Sequence, residues 1–135
     1  MSQGISPVSP DIVNAVVDAR WQDYVLYPTD KPPVCFNASV IHMVLVSIHE
    51  FEDHKYTMYL TKKGKLILEF VKIELEFNGD VEAQPEDVVV RKVRALKSLN
   101  DVWTMFDKQC TAYIDFLNEC GKALGDPNMF WLHHD

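Results

Sequence analysis

A chain of 135 residues with 47% apolar and 24% charged residues has the size and balance of one globular domain, which excludes an intrinsically disordered chain. Its formal charge of −7, from 20 acids against 13 bases, works against binding nucleic acid through phosphates and points to protein partners instead. The longest apolar run, residues 40–48, is broken by His42 and Ser47 and is too short to span a bilayer, so no membrane partner is expected.

Residues 1–9 read as a polar arm. They carry neither the basic nor the apolar region of a secretion signal, so a cytoplasmic location is expected: the host cytosol, or a virion if the protein is viral. Ser9, Pro10 and Asp11 form a helix opening, with a capping hydroxyl, a proline in the first turn and an acid near the positive helix end. Val13, Val16, Val17, Trp21 and Tyr24 recur on one face, which predicts a helix to about Tyr24. Pro28, Pro32 and Pro33 then enforce a stiff linker.

Residues 38–53 fit two periods. Their β-branched residues favour a buried strand, yet on a helical wheel Ser39, His42, His49, Glu50 and Asp53 gather opposite Val40, Ile41, Val44, Leu45, Ile48 and Phe51. Strand parity scatters the polar residues over both faces, so a helix capped by Asn37 is expected. Residues 55–61 alternate as a strand, Lys62, Lys63, Gly64 and Lys65 form a turn, and Leu66, Leu68 and Phe70 return antiparallel. The apolar parity then passes to Val71, Ile73, Leu75 and Phe77, which predicts a bulge or a bend near Phe70 and Val71. Asn78, Gly79 and Asp80 end the strand.

Pro85, Glu86 and Asp87 open a second helix, in which Val89, Val93 and Leu96 recur at helical spacing. Val88, Val89 and Val90 would alternatively finish the sheet. One long helix from Val88 to Leu124 would fit the continuous stripe. A hinge near Leu99 and Asn100, with Ser98 or Asn100 as cap, is preferred and separates this segment from the strongest periodic signal, residues 101–124. There Val102, Phe106, Cys110, Tyr113, Leu117, Cys120 and Leu124 share one stripe. Gly125 and Pro127 stop the helix, and Met129, Phe130, Trp131 and Leu132 make an apolar tail over residues 126–135. The expected fold is therefore a single α+β domain, with a β-hairpin or small antiparallel sheet packed against a long C-terminal amphipathic helix and two or three further helices.

Chemistry-bearing patterns are sparse. The three cysteines, Cys35, Cys110 and Cys120, contain no CxxC pair and read as buried thiols. His49, Glu50 and His54 miss the zinc-protease spacing, because histidines five apart leave one helical face. His42, His49 and Asp53 would share a face of the expected helix and are the candidate metal ligands; His133, His134 and Asp135 could complete a site. Gln109 falls in the buried arc of the last helix and needs a hydrogen-bonded partner. Lys62, Lys63 and Lys65 resemble the wing of a winged-helix DNA reader in outline, but the helix that would enter the groove holds no lysine or arginine. Acids crowd the middle of the chain from Glu69 to Asp87, and Arg91, Lys92, Arg94 and Lys97 follow; both groups read as solvated faces, with the acids alternatively forming a surface that meets a basic partner or mimics a polyanion.

No acid, base and nucleophile set appears, and no cofactor is expected. These features favour a non-enzymatic interaction or assembly protein, either a self-associating structural or accessory subunit of a virion type, or a protein inhibitor. A small metal-dependent hydrolase using the His and Asp set is the alternative. The interface is expected on the edge strand and the tail, at Val71, Ile73, Leu75, Phe77, Met129, Phe130 and Trp131.

Overall fold

A computed structural model describes residues 20–74, 88–98, 101–102, 111–126 and 128–130. The helix expected over residues 10–19, and Leu75, Phe77, Gln109, Cys110, Trp131, His133, His134 and Asp135, lie outside the described residues. Strands β1 (Gln22–Leu26), β2 (Val34–His49), β3 (Glu52–Thr61), β4 (Leu66–Glu74) and β5 (Val88–Leu96) form one antiparallel meander, each pairing with its neighbour in sequence. Helix α1 (Thr111–Ala123) packs on one face of the sheet, against β2 and β3. Apart from the helical pair Asp101 and Val102, α1 is the one helix among the described residues. The expected small sheet on a long helix with several companions is thus corrected to a curled five-stranded sheet carrying one short helix. None of the described helices is long and apolar enough to cross a membrane.

Residues 38–53 are not helical. They form most of β2, the tight turn after it and the start of β3. Two register shifts against β3, between Val40 and His42 and between Ser47 and His49, explain why strand parity looked broken. Each bulge inserts one residue and switches which face the following side chains occupy. Asn37 is accordingly no cap: it lies within β2 opposite Asp23, and its side-chain amide donates to Asp23 Oδ1 at 2.9 Å. Likewise, residues 22–26 are strand rather than the end of a helix, and residues 88–96 are β5 rather than a helix opened by Pro85. In both places β-branched and aromatic residues pair with a neighbouring strand, and that outweighs helical spacing.

The β3–β4 hairpin matches its expectation. Thr61 and Lys65 close it, Thr61 N–H donating to the Lys65 carbonyl at 2.9 Å, and Gly64 takes the left-handed φ of 84° that the turn needs. No bulge interrupts the β3–β4 register at Phe70 and Val71. The apparent parity switch arises because both faces of β4 are buried. Leu66, Leu68 and Phe70 face α1, whereas Ile67, Val71 and Ile73 face the other way. Charged Lys72 and Glu74 take over the helix side only at the far end of the strand.

Two apolar layers result. On the helix side, Tyr56, Met58 and Leu60 of β3 and Leu66, Leu68 and Phe70 of β4 meet Tyr113, Phe116, Leu117, Cys120 and Leu124. The rings of Tyr56 and Tyr113 lie 5.3 Å apart, and His42 stacks on Phe116 at 5.7 Å. The other layer gathers Tyr24 and Leu26 from β1, Phe36 and Ala38 from β2, Tyr59, Ile67 and Val93. Side chains of the first and last strands meet there, so this is the concave face of a curled sheet. The curl is latched by Thr29 in the β1–β2 loop: its N–H donates to the Arg91 carbonyl at 2.9 Å, and its Oγ1 accepts from Arg91 N–H at 2.8 Å.

Chain reversals after β5 and α1 are also specified locally. Ser98 N–H donates to Asp101 Oδ2 at 3.2 Å and Asp101 N–H to Ser98 Oγ at 3.4 Å, a reciprocal capping box that ends the strand and starts a helical turn. At the other end, Asp126 N–H donates to the Gly121 carbonyl at 2.9 Å and Gly125 N–H to Lys122 at 3.1 Å, with Gly125 at φ 82°: a Schellman stop. A further turn at Asp126 then brings Met129 and Phe130 back onto the core. Phe130 is 3% exposed, so this part of the tail is packed on its own domain. Replacing Phe130 with alanine is expected to lower unfolding free energy by about 3 kcal/mol, read from the shift in urea midpoint, through lost transfer energy and a cavity; an unchanged midpoint would show the tail to be dispensable.

Candidate functional site

Two of the expected metal ligands, His42 and Asp53, lie on opposite faces of the sheet. His42 lies on the helix face opposite Met58, whereas Asp53 lies on the concave face and accepts a hydrogen bond from Ser47 Oγ at 3.0 Å. Along β3 the two positions are five residues apart, on the order of 16 Å. His49 pairs with Glu52 at the end of the β2–β3 hairpin. Helical geometry was what placed the three together, and β2 is extended. Among the described residues, no three His, Cys, Asp or Glu side chains form a group able to hold a metal ion. His54 is engaged instead with Glu52, 2.8 Å from its Oε2, and Lys72 lies 3.5 Å from both Glu52 and Glu74, a charged ladder on the helix side.

The expected interface positions also fall differently. Val71 is 2% exposed and Ile73 7%, both on the concave face, while Phe130 is in the helix-side core with Met129 packed against it. Exposed apolar surface is found on β2 instead, at Val40, Met43, Leu45 and Ile48, with Met43 at 53% and Leu45 at 57%. The cause is a mismatch of strand lengths. β1 pairs only with Val34 to Ala38 of the 16-residue β2, and beyond Ala38 no described strand lies on that edge. Val40, Met43 and Leu45 are paired with Tyr59, Thr57 and Lys55, and so project to the concave side beyond the reach of β1. Residues 40–48 contain no charged side chain and no proline, the two usual guards of a free edge.

A buried polar group occupies the concave face. Glu69 is 3% exposed; Tyr59 donates its hydroxyl to Glu69 Oε1 at 3.3 Å, and Arg91 Nε lies 3.4 Å from Oε2. Arg91 Nε is close enough to neutralise the carboxylate but makes no aligned hydrogen bond among the described residues, and Thr57 Oγ1 is likewise buried without one. Glu69 therefore does not belong to a solvated acidic face. A signal was present in the sequence, because Glu69 stands in the otherwise apolar run from Leu66 to Val71 and only a partner explains an acid there.

Where the β1–β2 loop meets β5, a cavity of about 340 Å³ opens, lined by Pro28, Thr29, Lys31 and the run from Val90 to Arg94. The clustered bases of residues 91–94, expected on a helix, thus line a strand edge. Lys31 is held beside them by the Thr29 latch and by a turn in which Asp30 takes a left-handed φ of 59° and Lys31 N–H donates to the Pro28 carbonyl at 3.3 Å.

Burial raises the pKa of two tyrosines well above the ordinary value. Loss of solvent comes first for both; the nearby Glu69 charge adds to it at Tyr59, and Tyr113 donates its hydroxyl to the Val102 carbonyl at 2.6 Å. The Cys120 thiol is pushed up by the same loss of solvent. Unfolded tyrosines lose their protons near pH ~10 while these two hold theirs, so the native state binds more protons and stability falls as pH rises. The expected slope above pH ~10 is about 1.4 kcal/mol per pH unit for each of the two. Urea midpoints with phenolate absorbance will test this: if all five tyrosines ionise near pH ~10 with the fold intact, the two are not shielded. Comparison of the chain with protein-family models, with curated proteins and with solved structures finds no match.

Proposed function

We propose that this domain is a non-catalytic assembly subunit that associates with a second copy of itself, edge to edge, through residues 40–48 of β2. The observation that carries the reading is the uncharged, apolar stretch of β2 that no described strand pairs on its outer side, with four exposed large side chains. A strand edge without lysine or proline is a template for another strand. Its sequence is self-complementary about Val44. An antiparallel partner centred there would set Met43 against Leu45, Val40 against Ile48 and His42 against Val46, so apolar residues meet across both faces. Such pairing is isologous, with one two-fold axis through Val44, and closes as a dimer. A building block of a larger protein assembly would use the same contact.

Charge shapes the conditions for association. Each copy carries −7, so the copies repel at long range while the contact segment itself is neutral. Added salt screens the repulsion and leaves the apolar contact intact, so the dimer should tighten as ionic strength rises.

Light scattering after size exclusion at about 10 µM, a concentration suited to a contact of micromolar affinity, is expected to give twice the chain mass. Met43→Lys with Leu45→Lys should return the single-chain mass while circular dichroism and urea midpoint stay unchanged, because both side chains are exposed in the single copy. A wild-type mass of one chain at low and high salt, or a dimer indifferent to the two lysines, would sink the proposal.

A further inference from the structure

The cavity beside β5 has a chemistry distinct from the rest of the molecule. In a chain with 20 acids and 13 bases, its lining includes Lys31, Arg91, Lys92 and Arg94 and no acid. Asp30 belongs to the same loop but is not part of the lining. The remaining lining residues are Pro28, Val90 and Val93, which are apolar, and Thr29. Binding pockets for small molecules run from about 300 to about 1,000 Å³, so about 340 Å³ suits a compact ligand.

We infer that this cavity is a binding site for a small phosphorylated molecule, its phosphate held by Lys31 and Lys92 and its less polar part set against Pro28 and Val93. Three features of the site support this class. Lys31 and Lys92 are exposed and both line the cavity, one from the loop and one from the edge of β5, where Lys92 alternates with Val93 across the strand. Arg91, its charge offset by Glu69, is held in place by that pair and by the two Thr29 bonds, which fixes the strand side of the cavity and leaves Lys31 and Lys92 to supply the positive charge. Finally, Arg91 uses its N–H and carbonyl toward Thr29, so by strand alternation Val93 directs its own N–H to the same edge, a main-chain donor of the kind that phosphate oxygens accept. A single carboxylate would engage fewer of these donors than a phosphate, whose oxygens accept from several directions at once. The site lies on a different edge from residues 40–48 and does not depend on dimerisation.

The test is a titration of the full chain, with amide shifts followed by NMR, using inorganic pyrophosphate and a nucleoside 5′-monophosphate as probes. Saturable shifts confined to residues 29–31 and 90–94 are expected, with affinity falling as salt is added. Lys31→Ala with Lys92→Ala should weaken binding by roughly tenfold or more, while Lys31→Arg with Lys92→Arg should stay within roughly threefold of the original. Lys62→Ala with Lys63→Ala, on the β3–β4 turn, should change nothing. Three results would overturn the inference: no saturable shift with either probe at about 5 mM, equal binding by the double-alanine variant, or binding of a poly-glutamate peptide there while both phosphates fail.

Discussion

Burial of both faces of the β3–β4 hairpin is the constraint from which the remaining architecture follows. A two-stranded hairpin is marginal in water, and one with apolar residues on both sides needs cover on both. Tyr56, Met58, Leu60, Leu66, Leu68 and Phe70 are covered by α1 and the returning tail, so the Schellman stop at Gly125 and the turn at Asp126 serve the same core as the helix. Tyr59 and Ile67, on the reverse side, are covered among the described residues by the curl of the sheet, which gathers Tyr24 and Leu26 of β1, Phe36 and Ala38 of β2 and Val93 of β5 around them. A flat sheet of these five strands would leave the second layer open to solvent.

Curling has an electrostatic consequence. It takes Glu69 out of water, and a buried carboxylate costs several kcal/mol unless a partner offsets it. Arg91 and Tyr59 are those partners, and Arg91 also supplies the backbone groups that Thr29 latches. One residue thus neutralises the acid inside the curl and holds the curl shut from its edge. The arrangement specifies register at β5, because a slip of one residue would move Arg91 to the helix side and leave Glu69 uncompensated.

The two ends of the sheet differ in kind. At one end β2 outruns β1 and leaves a neutral, apolar edge; at the other, β5 is touched by a loop and rimmed with cations. A chain of −7 that concentrates bases at one edge and omits charge from the other has two surfaces that solubility alone does not require. Strand length sets the first and loop docking the second, so neither depends on any catalytic constellation.

What the sequence determined by itself was local. The β3–β4 hairpin with Gly64 at its turn, the buried stripe of Tyr113, Leu117, Cys120 and Leu124, the Ser98 cap and the stop at Gly125 were all legible, because each depends on neighbours within a few residues. The state of residues 38–53 and 88–96 was decided by tertiary structure. Two bulges in β2 reset parity so that the alternation imitated a helical wheel, and Val89, Val93 and Leu96 have helical spacing although β5 pairs along β4. The candidate sites followed the same division. His42, His49 and Asp53 shared a face only on a helix, and extension along β2 and β3 separates His42 from Asp53. Val71 and Ile73 looked like an edge because single-strand periodicity carries no information about which strand will lie beside it. The exposed stripe on β2 and the cation-lined cavity depend on where β1 ends and where Thr29 lands, contacts 62 residues apart in the case of Thr29 and Arg91. Local rules do not reach that far, since such contacts are selected by burial of the whole sheet rather than by the residues on either side of them.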